Sequence, residues 1–165
     1  MNWKTLSGAA ALLLACSSAF AHDYRAGEIH IDHPWSRAMP STAPTAAVYF
    51  TLENMGPTED TLVGASTPVA VRAELHEHVR AGDGMRMQHV ESVALPAGQS
   101  VKFAPMGYHV MLFDVQQQAE AGAHFPLTLE FAKAGKVQVE VAVEEVGGAA
   151  EHQGHGKQLD GMQHH

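Results

Sequence analysis

Val137-Gln138-Val139-Glu140-Val141-Ala142-Val143-Glu144 alternates a branched apolar residue with a polar or small one over its whole length. Successive side chains of an extended strand point to opposite faces, so this run has one buried and one wet face. Shorter runs of the same character lie upstream at 28–32, 45–53, 60–66, 69–78, 85–93, 100–104, 108–115 and 125–131, and the final strand spans 136–146. Turn residues separate them: Asn54-Met55-Gly56-Pro57, Ala81-Gly82-Asp83-Gly84, Pro96-Ala97-Gly98 and Ala134-Gly135. Many short strands with regular turn signals and few helical periods predict an all-β domain, a two-sheet sandwich or small barrel.

The two ends of the chain read differently from this middle. Residues 1–21 carry Lys4, an apolar stretch around Leu12, Leu13 and Leu14, and the small-x-small triplet Ala19-Phe20-Ala21, which together read as a secretory signal cleaved before His22. Leu13-Leu14-Ala15-Cys16 also has the form of a lipobox, so acylation at Cys16 is the alternative processing. No other segment approaches the ~20 apolar residues of a membrane span. The domain is therefore expected over 22–146, exported to the periplasm. Beyond it, Gly147-Gly148-Ala149-Ala150 opens a polar segment with no apolar period, containing His152, His155, Met162, His164 and His165. Residues 147–165 are expected to form a disordered, His- and Met-rich C-terminal tail.

Composition narrows the chemistry. The 10 Lys and Arg against 18 Asp and Glu, with no basic run, argue against a nucleic-acid partner. Cleavage before His22 removes the single Cys, and with it any disulfide, thiol chemistry, Cys-ligated zinc, iron–sulfur cluster or blue-copper centre. Nucleophile elbow, phosphate loop and HExxH motifs are all absent from the sequence, so it does not read as an enzyme. A mature His22 followed by Asp23 has the makings of an N-terminal copper chelate, but oxygenase chemistry would need a second His, with His30 or His33 the nearby choices. What stands out is 12 His and 8 Met in 165 residues, two side chains that bind metals.

These residues fall at suggestive places. In Gly107-Tyr108-His109-Val110-Met111, His109 and Met111 are two apart on one strand and share a face. His76 lies late in one predicted strand and Met87 early in the next, across the Gly82/Gly84 connection, so a hairpin would bring them together. A lone strand His is ordinarily a surface residue and a lone Met ordinarily core packing, so the pairs matter more than the individuals. If both pairs meet, the set is two imidazoles and two thioethers, all neutral. Soft thioether sulfur favours Cu(I) over zinc, calcium or magnesium.

His76, ten residues, Met87, twenty-one residues, then His109-x-Met111 resembles the signature of the periplasmic copper chaperone family written PCu(A)C. The flanks resemble it too, in His33-Pro34-Trp35-Ser36-Arg37-Ala38, Ala47-Val48-Tyr49-Phe50, Asp60-Thr61-Leu62-Val63-Gly64-Ala65 and Glu74-Leu75-His76. The resemblance, covering roughly 28–146, implies a cupredoxin-like Greek-key β-sandwich that binds one Cu(I) through His76, Met87, His109 and Met111. It implies delivery towards the dinuclear CuA centre of cytochrome c oxidase, directly to the subunit carrying it or through an intermediary assembly protein. The chain itself is expected to be monomeric.

The chain departs from the family pattern at two points. His78 stands where relatives often carry Met, and Met106 where they often carry Gly, so both are accessory metal candidates at the rim. His152, His155, Met162, His164 and His165 are further candidates, for Cu(II), whose preference is for nitrogen. On that basis the rival reading is a periplasmic scavenger or resistance protein buffering Cu(II) through its tail. His89 shares the parity of Met85 and Met87 and reads as an exposed strand residue or an outer ligand, while Trp35 and Tyr108 are expected to pack or to frame the site, Tyr108 being placed to shield His109 from water.

Overall fold

A computed structural model describes residues 23–145. The expected signal segment 1–21 with Cys16, the His22 terminus, and the tail with His152, His155, Met162, His164 and His165 lie outside the described residues. Those residues are all β: β1 (Asp23–Ala26), β2 (Ile29–Arg37), β3 (Thr45–Asn54), β4 (Asp60–Ser66), β5 (Ala70–Ala81), β6 (Gly84–His89), β7 (Val93–Leu95), β8 (Ser100–Phe103), β9 (Tyr108–Val115), β10 (His124–Phe131) and β11 (Gly135–Glu144). Among them no helix is long and apolar enough to cross a membrane.

The strands form one continuous hydrogen-bonded path, β6-β5-β9-β8-β3-β2-β11-β10-β4-β7, with β1 on β2 and β9 also on β3. Long strands that change partners make this continuity possible. The first half of β3 pairs with β9 and its second half with β8. β2 behaves likewise: its first half forms a hairpin with β1, and its second half lies parallel to β11. The switch falls at a bulge between Asp32 and Trp35, where His33 takes a left-handed φ of 46°. The bulge also explains why β2 runs through Pro34, where sequence reading ends the strand at 32. Two further corrections concern strand number. β1 is an additional strand, too short and polar to show a period, and the run 85–93 divides into β6 and β7 because Val90-Glu91-Ser92 turns away after the Val90 N–H bonds the Leu75 carbonyl at 2.9 Å.

Alternation along β3, β10 and β11 places Val48, Phe50, Leu52, Leu127, Leu129, Val139, Val141 and Val143 in one apolar core. Each fully buried side chain of this size is worth about 2 kcal/mol. Phe50 and Phe103 stack at 4.6 Å between ring centres across the β3–β8 pair. Buried Asn54 closes the turn after β3: its Nδ2 donates to the Thr58 and Leu95 carbonyls at 2.8 and 2.9 Å, and its Oδ1 accepts the Gly56 N–H at 3.0 Å.

Candidate metal centre

β5 is the middle strand of the site. It turns into β6 through the two-residue loop Gly82-Asp83, with Gly82 at a φ of 60°, the first central position that a II′ turn reserves for glycine. Pairing sets His76 opposite His89 on β6 and opposite His109 on β9, and His78 opposite Met87. By the two-residue period, Glu74, His76, His78 and Arg80 share a face with Met85, Met87 and His89 on one side and with His109, Met111 and Phe113 on the other. The hairpin anticipated from the glycines thus carries Met87 to the face of His76 and His109.

His109 is 2% exposed and His76 7%, while Met87, at 38%, stands at the rim. The His109 Nε2 atom lies 3.0 Å from the Met87 sulfur, across β5. The ring's other nitrogen decides the meaning of that contact. Nδ1 is 3.2 Å from the Gly107 carbonyl, which can only accept, so Nδ1 carries the hydrogen and Nε2 a bare lone pair. Nitrogen and sulfur therefore face each other as two donors with no hydrogen between them. Burial pushes the His109 imidazole below its ordinary pKa; the Gly107 bond opposes this, and His78 and His76 nearby add to it. The ring is neutral, the form that binds a metal.

His76 is fixed from its own strand. Its Nε2–H donates to Glu74 at 3.0 Å, and Glu74 is also paired with Arg72, whose guanidinium lies 4.7 Å over the Phe113 ring. The bond from His76 pulls the Glu74 carboxyl below the usual carboxylate range, outweighing its burial cost, and Arg72 reinforces it. The remaining nitrogen of His76, Nδ1, is buried and has no hydrogen-bond partner, and the same holds for Nδ1 of His78. The rings of His76 and His78 lie 5.8 and 5.1 Å from that of His109. Met111 is half-buried on the same face, opposite Glu74 on β5 and Ala47 on β3. Met106 stands apart on the β8–β9 turn, 60% exposed, at a left-handed φ of 68°.

The aromatic wall differs from expectation. Tyr108 does not cover His109: one residue away on a strand, it faces the other side and packs on Phe103 at 5.6 Å. Tyr49 takes that place, its ring 6.4 Å from His109, with Trp35 4.7 Å behind it. Burial raises the Tyr49 hydroxyl pKa against the pull of Arg37, keeping it a neutral wall. Tyr49 escaped sequence reasoning because only the β3–β9 register brings it there. Glu74 was findable, being two residues before His76 on the same strand.

Among the described residues, no three His, Cys, Asp or Glu side chains converge as a metal cage. The thioethers on this face are soft donors, which suit a soft ion better than the hard oxygen-seeking cations.

The LpqE-like family model matches residues 29–143, a span containing His76, Met87, His109 and Met111. The copper-bound PCuAC domain from PmoF2 is 31% identical, covering 76% of this chain and 99% of that domain with a TM-score of 0.66. The chain belongs to the LpqE-like, PCuAC family. A Leifsonia xyli protein named "Putative lipoprotein Lxx21020" is 31% identical to this PCuAC protein over 147 residues, 88% of this chain and 86% of its own. The solution structure of Cu(I)-bound DR1885 from Deinococcus radiodurans is 26% identical over 79% of the PCuAC chain and 85% of its own, with a TM-score of 0.56.

Proposed function

We propose that this protein is an exported metallochaperone that holds one Cu(I) through His76, Met87, His109 and Met111 and carries it towards the CuA centre of cytochrome c oxidase. The observation that carries this reading is the pairing of the bare His109 Nε2 with the Met87 sulfur at 3.0 Å, two soft-to-borderline donors from different strands aimed at each other. The copper-bound state of the PmoF2 domain and the Cu(I) state of DR1885 support it.

The donor set suits transfer. Four neutral ligands leave the ion its single positive charge, and release requires no ligand to be reprotonated from an anion. Burial holds the two imidazoles in place while Met87 lies at the rim, so an acceptor can replace the accessible thioether first and draw the ion out stepwise. Met111→Ala is expected to weaken Cu(I) binding by about tenfold or more, in line with losses seen even for groups one step removed from a metal. Competition against a chromophoric Cu(I) chelator measures it, and an unchanged affinity would remove Met111 from the set. Truncation after Ala149 tests the function itself: the chaperone keeps its single tight Cu(I), whereas a scavenger working through the tail loses most of its copper capacity.

Export is supported by Ala19-Phe20-Ala21 and by the lipoprotein name of the Leifsonia relative. Intact mass of the protein from its native envelope separates the two processing routes. A free periplasmic chaperone begins at His22; a diacylated chain beginning at Cys16 is heavier by six residues and its lipid, and works tethered to the membrane.

A further inference from the structure

Met87 is the donor that meets the solvent. It is 38% exposed on β6, the strand that ends the hydrogen-bonded path, so a small solute reaches its sulfur without any opening of the fold. Exposure alone does not distinguish it: Met39 is exposed to the same extent, and Met85 and Met106 more so. The difference lies in the imidazole behind the sulfur. His109 Nε2 is 3.0 Å away, closer than atoms of that size come in an ordinary non-bonded contact. Because Gly107 holds the Nδ1–H at 3.2 Å, the nitrogen presents its lone pair to the sulfur. Among the described residues no other methionine sulfur has a nitrogen so placed. Two filled lone pairs pressed together raise the energy of the sulfur electrons, and the burial of His109 keeps its ring from turning away.

We infer that Met87 is a site of reversible oxidation by hydrogen peroxide, more reactive than its exposure accounts for, and that its sulfoxide closes the site to Cu(I). The inference rests on the copper reading above and adds regulation to it. The sulfur attacks one peroxide oxygen with a lone pair; an S–O bond forms as the O–O bond breaks, and hydroxide leaves. The hydroxysulfonium then gives its proton to that hydroxide. The products are sulfoxide and water, with sulfur oxidised and peroxide reduced by two electrons. Positive charge develops on the sulfur during the attack, and the fixed Nε2 lone pair faces it, so the barrier falls without any reorganisation. Afterwards one sulfur lone pair is committed to oxygen and the other sits on an electron-poor sulfur. The side chain then offers a hard oxygen in place of a soft thioether. Bound Cu(I) draws on the same sulfur electrons, so the loaded form is shielded while the empty form is withdrawn. Methionine sulfoxide reductases reverse the change, and the rim position puts the sulfoxide within their reach.

The test uses the metal-free full-length protein, labelled with 13C at its methionine methyl groups and treated with dilute hydrogen peroxide. Each methyl signal is followed as it moves to its sulfoxide position. Met87 oxidises about threefold or more faster than Met39, its match in exposure, the return of one weak contact held in place. It also oxidises faster than the more exposed Met106. In His109→Gln the Met87 rate falls to that of Met39, whose own unchanged rate reports that the fold persists; the wild-type order of rates decides the point even if that variant fails to fold. Protein oxidised at Met87 binds Cu(I) about tenfold or more weakly in competition with a chelator, and reductases of both stereospecificities restore the affinity. A Met87 rate no greater than that of Met39, a rate that His109→Gln leaves unchanged, or a Cu(I) affinity that oxidation does not alter would overturn the inference. Untreated protein is titrated with Cu(I) alongside. Failure to bind there falls on the copper reading, whereas the oxidation rates, taken without metal, judge the reactivity of Met87 separately.

Discussion

His109→Ala lowers Cu(I) affinity by about 100-fold or more, the largest effect expected of any single substitution. His109 is the donor whose lone pair is fixed: Gly107 holds its Nδ1–H, Tyr49 walls one side, and Nε2 is aimed at the Met87 sulfur at 3.0 Å. Pre-organised donors lose little freedom on binding, so removing this one removes both a ligand and the frame that presents it. Loss of partners one step further from a metal already costs about 10- to 100-fold. Because the residue is buried, His109→Gln is the companion variant: it keeps most of the volume and drops the imidazole donor. Both are read by chelator competition, with thermal unfolding to confirm that the sandwich persists. The wild type has a matching pH signature. A proton competes with copper only below the pKa of the ring, and burial has moved that value down. Proton competition at His109 should therefore set in at lower pH than at an exposed imidazole, which NMR titration of its ring resonances in the copper-free protein measures.

Asp60→Ala destabilises the fold by about 3 kcal/mol without touching the metal site. Asp60 is buried at the start of β4, where Oδ1 accepts the Thr61 and Lys133 N–H groups at 2.7 and 2.9 Å and Oδ2 accepts that of Ala134 at 2.9 Å. One carboxylate thus serves three backbone donors and pins the β10–β11 turn to β4. Removing it leaves those donors unpaired at about 1–3 kcal/mol each, less whatever water recovers. Burial alone would raise the pKa of Asp60, but the three backbone bonds and the Lys133 charge lower it overall. A depressed folded-state value means that the unfolded chain binds the proton more readily. This stabilisation is complete above the unfolded pKa of about 3.9 and is lost as pH falls through the lower folded value. Urea unfolding across acid pH should show that loss in the wild type and a flatter profile in Asp60→Asn. An Asp60→Ala variant within about 0.5 kcal/mol of wild type would remove Asp60 from this role, since that is the range of neutral surface changes.

Much of this was legible because a β-strand writes its faces into the sequence. The alternation of Val137 to Val143 gives the last strand, and the two-residue spacing of His109 and Met111 puts them on one side. The glycines at 82 and 84 mark the hairpin that brings Met87 to His76. What escaped depends on which strand lies beside which. Tyr49 reaches His109 through the β3–β9 register, and no period within either strand contains that pairing. β2 continues past 32 through Pro34 because a bulge at His33 carries the strand on while it exchanges β1 for β11. Of the two roles open to Tyr108, packing holds and shielding of His109 does not: odd spacing from His109 puts it on the opposite face, against Phe103.

The measurement that reaches the central claim most directly is X-ray absorption at the copper edge of the full-length protein loaded with one equivalent of Cu(I). Two sulfur and two nitrogen neighbours are expected, one from each of Met87, Met111, His76 and His109, with one sulfur lost in Met87→Ala. Copper coordinated by nitrogen alone, or a sulfur count that Met87→Ala leaves unchanged, would contradict it.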